Sequence, residues 1–392
     1  MTRIQNFFIL SALLSVLSGC SLFGSKESTV AQPTKLQPLE NKLDLQLITK
    51  MQVGEGSEFS YVKLAPFLLD NQVFAASRDG NVKSYSLETG ELLWAVSLQS
   101  KLSAGPYAAG NKVYICDSDA NVTALDRVSG NRIWQTTLSS EILSRAVESE
   151  GYLIIRTADG SIFAIDSETG YQKWVFDRSI PVLTLRGTGD PVIYNGVVYV
   201  GLDSGKLVAI DIINGTALWE KQIAIGRGRS EVERIIDIDG TPEIYAGKIF
   251  LSSYRSKLGA YSLRDGREFW SRDISSFNGP VVDIVDEGKS IFVTDDVGNI
   301  WGISADTGAS LWKLEHLFAR QGTKPAIFGG YIVVADLEGY VHLIEKTTGK
   351  IVARIEVFDS IIRQQPVIYN NYILIQSEEG GIAVVKVSDI ES

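Results

Sequence analysis

One spacing constrains this chain more than any other: a glycine followed four residues later by a tryptophan. Six of the seven tryptophans obey it. The pairs are Gly90 and Trp94, Gly130 and Trp134, Gly170 and Trp174, Gly215 and Trp219, Gly266 and Trp270, and Gly308 and Trp312. A seventh copy, after Gly349, has Ala353 in place of the tryptophan. Units of about 40 to 50 residues that recur in this way are typical of β-propeller blades.

The stretch Ser77–Trp94 shows what one unit contains. Asp79-Gly80-Asn81 and Thr89-Gly90 are tight-turn signals, because glycine and asparagine adopt the backbone angles that a chain reversal needs. Between them, Asn81–Leu87 alternates its side chains as a half-buried strand does. Each unit therefore predicts short antiparallel strands joined by tight turns.

The units divide the chain into eight blades. Their predicted ranges are Pro66–Leu98, Pro106–Leu138, Ala146–Phe176, Pro191–Ile223, Pro242–Ile274, Pro280–Leu314, Pro325–Val357 and Pro366–Val387. The last has only three strands, and the alternating segment Asn41–Thr49 ahead of the first blade can supply its outer strand, which removes two open sheet edges. The prediction is an all-β protein: one domain, residues 41–392, forming an eight-bladed propeller of four-stranded antiparallel blades, with the tryptophans packed between neighbouring blades.

The N-terminus indicates an exported protein. Residues 1–19 hold a basic start, an apolar run too short to span a bilayer, and small residues just before Cys20. This pattern resembles a bacterial lipoprotein signal, in which Cys20 becomes the lipid-modified first residue; an ordinary secretory signal with an incidental cysteine is the alternative. Ser21 follows where inner-membrane retention would place Asp, so the resemblance implies the outer membrane, facing the periplasm. Residues 20–40 are polar and proline-containing, as a lipidated flexible tether would be.

Composition and motifs argue against several chemistries. A net charge of −10 disfavours nucleic acid as a partner. Cys116 is predicted to be a small buried strand residue, and His316 and His342 lack ligand spacing, so neither a metal, a cofactor nor a catalytic residue is assigned. The blades resemble the PQQ-like repeat, which quinoprotein alcohol dehydrogenases share with non-enzymatic propellers. Those enzymes use adjacent cysteines, a calcium site and a catalytic Asp; no adjacent cysteine pair occurs here.

The repeat is stretched at two neighbouring connections, 178–190 and 224–241. The first carries an apolar strip that ends in a cation, Leu183-Thr-Leu185-Arg186, and the second carries Asp237-Ile-Asp239. Exposed apolar side chains beside charges of both signs are typical of a protein-binding surface. Alternatively, the apolar residues hold the loops against the blades while the charged residues satisfy turns; these apolar residues are Leu183, Leu185, Ile235 and Ile236. Loop length alone does not separate these readings.

The lipoprotein signal, the tether, the eight blades and the segments LTLRG and IIDIDGTP together resemble the BamB family of the outer-membrane β-barrel assembly machinery. The resemblance covers essentially the whole chain after the signal. It implies that Leu183, Leu185, Arg186, Asp237 and Asp239 dock on the periplasmic POTRA domains of BamA, and that other subunits are reached through BamA. Unfolded outer-membrane proteins, received at blade edges, are a further candidate partner. A scaffold for another envelope partner and a quinoprotein-like dehydrogenase remain as alternatives.

Overall fold

Two compact units divide the chain, Met1–Pro33 and Thr34–Ser392. The computed structural model describes residues 31–58, 60, 62–177, 189–224, 238 and 240–390. Residues 31–33, the described part of the first unit, have no regular secondary structure. Every strand among the described residues belongs to the second unit.

The second unit is built from antiparallel four-stranded sheets, eight of them among the described residues. Blades 1 and 2 contain β2 (Phe67–Leu69), β3 (Gln72–Ala76), β4 (Asn81–Ser86), β5 (Leu92–Ser97), β6 (Leu102–Ala109), β7 (Lys112–Asp117), β8 (Asn121–Asp126) and β9 (Arg132–Thr137). Blades 3 and 4 contain β10 (Val147–Ser149), β11 (Tyr152–Arg156), β12 (Ile162–Asp166), β13 (Gln172–Phe176), β14 (Val192–Tyr194), β15 (Val197–Gly201), β16 (Lys206–Asp211) and β17 (Ala217–Gln222). Blades 5 and 6 contain β18 (Glu243–Tyr245), β19 (Lys248–Ser252), β20 (Leu258–Ser262), β21 (Glu268–Arg272), β22 (Val281–Val282), β23 (Ser290–Thr294), β24 (Ile300–Ser304) and β25 (Ser310–Leu314). Blades 7 and 8 contain β26 (Ala326–Phe328), β27 (Tyr331–Ala335), β28 (Tyr340–Glu345), β29 (Ile351–Glu356), β30 (Val367–Tyr369), β31 (Tyr372–Gln376), β32 (Gly381–Asp389) and β1 (Leu43–Gln52).

The sheets form a closed ring of eight blades. First strands contact each other between blades 1 and 2, 3 and 4, 5 and 6, and 7 and 8, and β2 of blade 1 contacts β30 of blade 8. Blade 8 has the order β1-β32-β31-β30, so the N-terminal strand is its outermost strand. The pairing of β1 with β32 runs from Leu43 opposite Asp389 to Gln52 opposite Gly381. The predicted propeller and its mode of closure are confirmed.

Each tryptophan of the repeat docks onto the next blade. The Trp174 indole packs on the turn glycine Gly215, where a Cβ atom would lie only 2.6 Å from Cδ2 of the ring. Its Nε1 donates a 2.8 Å hydrogen bond to the carbonyl of Ile212, three residues before that glycine. The other five tryptophans donate the same hydrogen bond to the next blade. The acceptor is the carbonyl of the residue three positions before the glycine on which the indole packs. The turn glycine of one blade is therefore the seat for the tryptophan of the preceding blade.

Two junctions lack the tryptophan. Ala353 occupies its position in blade 7, paired with Leu343. In blade 8 the position belongs to Thr49, whose hydroxyl oxygen would lie 3.3 Å from a Cβ atom on Gly90 of blade 1. The packing is thus lighter on both sides of the blade that closes the ring.

The outer strand of every blade contains a β-bulge. Pairing between the third and fourth strands skips one residue next to the tryptophan position; in blade 1 this residue is Leu93. The skipped residue is an exposed apolar one in six blades: Ile48, Leu93, Ile133, Leu218, Phe269 and Leu311. Bulges twist an edge away from further pairing. The bulges therefore disfavour the addition of a regular strand at these edges.

The connections between blades share one end of the propeller. Antiparallel strands place each fourth-to-first-strand connection on the same face as the second-to-third-strand turns. Hydrogen bonds join the two sets, as from Leu138 N to the carbonyl of Ala120 and from Ile223 N to that of Gly205. We call this the connection face. The described residues at the ends of both stretched connections lie on it.

Three details differ from the sequence prediction. Strand β6 begins at Leu102, ahead of the predicted start at Pro106, because Leu102 and Ala104 already pair with Asp117 and Cys116 of β7. The register then shifts around Pro106, which has no N–H to donate. Strand β1 extends beyond Thr49 to Gln52. In blade 6 a single-turn 3-10 helix, Ile284–Asp286, replaces the two-residue turn that joins the first two strands elsewhere.

Candidate docking surface

The residues predicted to form the docking surface lie outside the described residues. Leu183, Leu185 and Arg186 fall within 178–188, and Asp237 and Asp239 fall at the end of the second connection. Cys20, the predicted lipidation site, also lies outside them. The geometry of the site is therefore given by the described residues that border these stretches.

Asp190, where the first connection returns to blade 4, forms hydrogen bonds to several distant chain segments. Its Oδ1 accepts hydrogen bonds from Nζ of Lys63, at 3.2 Å, and from the backbone N of Arg145, at 2.9 Å. Its Oδ2 accepts one from Nε of Arg145, at 3.2 Å. The backbone N of Asp190 donates to the hydroxyl of Thr241, at 3.3 Å. One residue thus contacts the segment ahead of blade 1 and the connections that enter blades 3 and 5.

Asp190 is a buried carboxylate that stays ionised. Its side chain is only 6% exposed, whereas those of Lys63 and Arg145 are each 30% exposed. Burial by itself raises the pKa of this carboxyl, but the charges of Lys63 and Arg145 and the Arg145 N–H outweigh it, so the pKa is held well below its ordinary value. Removing this charge leaves two cations facing each other.

The second connection is fixed at both ends. Ala224 is buried, and its N–H donates to the carbonyl of Gly205 at 3.0 Å. Ile238, between the two predicted aspartates, is fully buried and packs among apolar residues that include Tyr199 and Ile249. A Cβ atom on Gly201 would lie 2.3 Å from Cγ2 of Ile238. A close-fitting pocket between blades 4 and 5 therefore holds Ile238.

A buried ion pair ties blades 3 and 4 beneath this region. Arg156 ends β11, and its Nη2 donates to Oδ1 of Asp203 in the second-to-third-strand turn of blade 4. The Arg156 side chain is fully buried, and its Nε and Nη1 have no hydrogen-bond partner. Blades 3 and 4 carry the first stretched connection between them. The pair therefore limits movement between the two blades that border it.

Other chemistry-bearing residues have structural roles. Cys116 is buried in β7, as predicted, and burial raises the pKa of its thiol. His342 is buried in β28, where its Nε2 lies 2.8 Å from Oδ2 of Asp336, which also accepts from Nε of Arg320. His316 is exposed. Among the residues with described positions, no cluster of three or more His, Cys, Asp or Glu is arranged to hold a metal ion.

Within the same described ranges, no helix has both the length and the apolar character needed to cross a membrane.

Asp190, Lys63, Arg145 and Ile238 were not identified from the sequence. Lys63 and Asp190 are 127 residues apart and lie in the segments that lead into blades 1 and 4. No local sequence pattern therefore joins them. The one available signal was positional: Asp190 immediately precedes Pro191, where the inner strand of blade 4 was predicted to begin. For Ile238, the alternation Asp-Ile-Asp indicated that the isoleucine differs in exposure from its neighbours.

Comparison with known proteins is consistent with this architecture. The tryptophan-glycine junctions and the closed ring define a β-propeller scaffold of the PQQ-like repeat class. The family model described as "Outer membrane protein assembly factor BamB" matches residues 78–314 and 303–390. A protein of that name from Pseudomonas aeruginosa is 45% identical over 355 residues, which are 90% of this chain and 91% of the relative. The chain belongs to the BamB family.

Solved structures agree on the fold. BamB from Moraxella catarrhalis superposes with a TM-score of 0.78 at 24% identity, covering 88% of this chain and all of that one. A quinohemoprotein alcohol dehydrogenase from Comamonas testosteroni superposes with a TM-score of 0.70 at 13% identity, covering 89% of this chain and 77% of the enzyme. At such identities a likeness shows the fold alone. The curated relatives carry the name of an assembly factor.

Proposed function

We propose that the protein is a non-catalytic scaffold subunit of the outer-membrane protein assembly machinery. It binds the POTRA domains of BamA, reaches the other subunits through BamA, and assists the folding and insertion of β-barrel outer-membrane proteins. The observation that carries this proposal is the junction of the two stretched connections: Asp190 N donates to the Thr241 hydroxyl, which joins their ends on one face. The partner is the one that the resemblance to the BamB family implies.

The proposed docking surface consists of Leu183, Leu185, Arg186, Asp237 and Asp239. The leucines act as buried anchors, and Arg186 donates a bidentate pair of hydrogen bonds to a carboxylate of the partner. The aspartates pair with partner cations or orient Arg186. The support is the rigid frame around them, because a surface whose ends are fixed loses less conformational freedom on binding.

We also propose that the protein is lipid-anchored in the outer membrane and faces the periplasm. Residues 1–19 are removed as a signal peptide, Cys20 receives the lipid, and residues 20–40 act as the tether. The membrane is contacted through the anchor alone. Radiolabelled palmitate should be incorporated by the unaltered protein and not by Cys20→Ser; incorporation by that variant would contradict a lipid anchor at Cys20.

The test of docking is direct binding to the POTRA region of BamA from the same organism. The soluble protein that begins after Cys20 is compared with Arg186→Ala and with Leu183→Ala/Leu185→Ala. The matched control is Leu92→Ala/Leu93→Ala, which removes two leucines that are 53% and 51% exposed on the outer strand of blade 1. Circular dichroism confirms that each variant is folded.

Truncating a buried anchor typically costs 2 kcal/mol or more, so the loop variants should bind about 30-fold more weakly than the control. Equal binding by all variants would exclude this surface. Absence of binding by the unaltered protein would exclude BamA as the partner and leave a propeller scaffold for another envelope protein.

A further inference from the structure

Asp190 joins parts of the connection face that are distant in sequence. The hydrogen bonds described above span 127 residues to Lys63, 45 to Arg145 and 51 to Thr241. Each partner stands at or near the entrance of a different blade. Asp190, through its carboxylate and its backbone N–H, therefore acts as a common anchor for chain segments that the strands alone leave independent.

The anchor lies close to both parts of the proposed docking surface. Asp190 follows Arg186 by four residues, and Thr241 follows Asp239 by two. Chain length alone limits the Cα separations to about 14 Å and about 7 Å. The bond between Asp190 and Thr241 therefore sets where the two halves of the surface return to the propeller.

We infer that Asp190 is a positioning residue for BamA docking: its carboxylate, held by Lys63 and Arg145, fixes the residue whose backbone N–H bonds to Thr241, and this bond sets the spacing between the two connections that carry the proposed surface. This inference rests on the proposed function. Asp190 itself does not contact the partner, because its side chain is buried. Its effect is on the fraction of molecules whose two connections stand in the binding-competent arrangement.

Asp190→Asn removes the negative charge of the side chain and nearly preserves its shape. The amide has nearly the size of the carboxylate, but its NH₂ group faces the Nε–H of Arg145, so a donor meets a donor. The attraction for Lys63 and Arg145 is lost as well. If the competent fraction falls to about one tenth, the apparent Kd rises about tenfold in proportion.

The chain offers a matched control in Asp336→Asn. Asp336 is also a fully buried carboxylate that accepts from an arginine Nε, at 2.7 Å from Arg320, but it lies in blade 7, away from both stretched connections. Both substitutions remove one buried charge from a guanidinium and from a second side chain, which is Lys63 for Asp190 and His342 for Asp336. A general loss of stability acts on both, whereas a positioning role belongs to Asp190 alone.

The experiment measures association and dissociation rates for the POTRA region of BamA with the unaltered protein, Asp190→Asn and Asp336→Asn, alongside their urea unfolding midpoints. We expect Asp190→Asn to lower the association rate constant about tenfold and to leave the dissociation rate nearly unchanged, because the competent state still makes every contact. Asp336→Asn should keep both rate constants while its unfolding midpoint falls.

Two outcomes overturn the inference while the proposed function stands: unchanged rates for Asp190→Asn, or equal losses for both variants. Absence of binding by the unaltered protein overturns the proposed function itself. If Asp190→Asn does not fold, Thr241→Val takes its place, since it removes only the acceptor of the Asp190 N–H. It should lower the association rate in the same way, and an unchanged rate would again overturn the inference.

Discussion

The seating of tryptophans on turn glycines predicts a large difference between two alanine substitutions in blade 4. Gly215 and Gly196 have the same backbone angle, φ +72°. A Cβ atom on Gly215 would lie 2.6 Å from the Trp174 ring, whereas one on Gly196 would lie 3.9 Å from Ile212 and make an ordinary contact. The two substitutions therefore share their backbone strain and differ in the displaced indole.

The magnitudes follow from the structure. A left-handed conformation costs a non-glycine residue about 1 kcal/mol, and this is the whole cost expected for Gly196→Ala. In Gly215→Ala the indole must also move by about 1 Å, which costs about 1 to 2 kcal/mol in packing. It also lengthens the 2.8 Å hydrogen bond to Ile212, worth about 1 kcal/mol. We expect Gly215→Ala to lose about 3 to 4 kcal/mol of unfolding free energy.

The assay is urea unfolding followed by far-ultraviolet circular dichroism. The same two substitutions are then made in a Trp174→Leu background, where the smaller side chain leaves room for the new methyl group. There the cost of Gly215→Ala should fall towards that of Gly196→Ala. Equal costs for the two substitutions in the unaltered background would refute the argument that the indole is seated on Gly215.

Three further predictions concern the connection face and the buried charges. Gly201→Ala should displace Ile238, because the new methyl group would lie 2.3 Å from Cγ2 of that residue. Binding to the POTRA region of BamA, measured by titration, should weaken about tenfold. Unchanged affinity would show that the packing of Ile238 does not support docking. The pKa of Asp190 is lower in the folded state than in the unfolded chain. Its ionised carboxylate therefore contributes fully to folding stability above the unfolded pKa of about 3.9, and this contribution is lost as the pH falls through the folded pKa. Urea midpoints of the unaltered protein and Asp190→Asn should therefore differ at pH 7 and converge below about pH 4, whereas a constant gap would contradict this. Burial lowers the pKa of His342 despite the opposing effect of Asp336. The unfolded chain therefore takes up this proton more readily than the folded protein, and folding stability should fall as the pH drops below about 6.5. His342→Leu should remove this part of the pH dependence of stability, and an unaltered pH profile would contradict the argument.

The architecture was accessible from the sequence because it repeats. The spacing of Gly90 and Trp94 recurs with a regular period, and each copy marks the same turn and the same outer strand. The alternation of Leu43, Leu45 and Leu47 predicted the strand that completes blade 8, and β1 pairs there with β32. Local chemistry sufficed for these features, because tight turns and half-buried strands are specified by adjacent residues.

The role of the glycine in packing was not accessible. Gly215 was interpreted as a turn residue, yet its lack of a side chain also makes room for a tryptophan 41 residues earlier in the chain. The network around Asp190 is hidden for the same reason, since Lys63 and Arg145 reach it only after the ring has formed. The five predicted docking residues were placed by their loops and a family resemblance, and they stay a prediction.

The completion of blade 8 by β1 also has a consequence for the timing of folding. Ribosomes build β1 first and β32 last, with more than 300 residues between them. A chain cut short within blade 8 never receives that partner and keeps open sheet edges that favour aggregation. Closure of the ring thus distinguishes complete chains from incomplete ones.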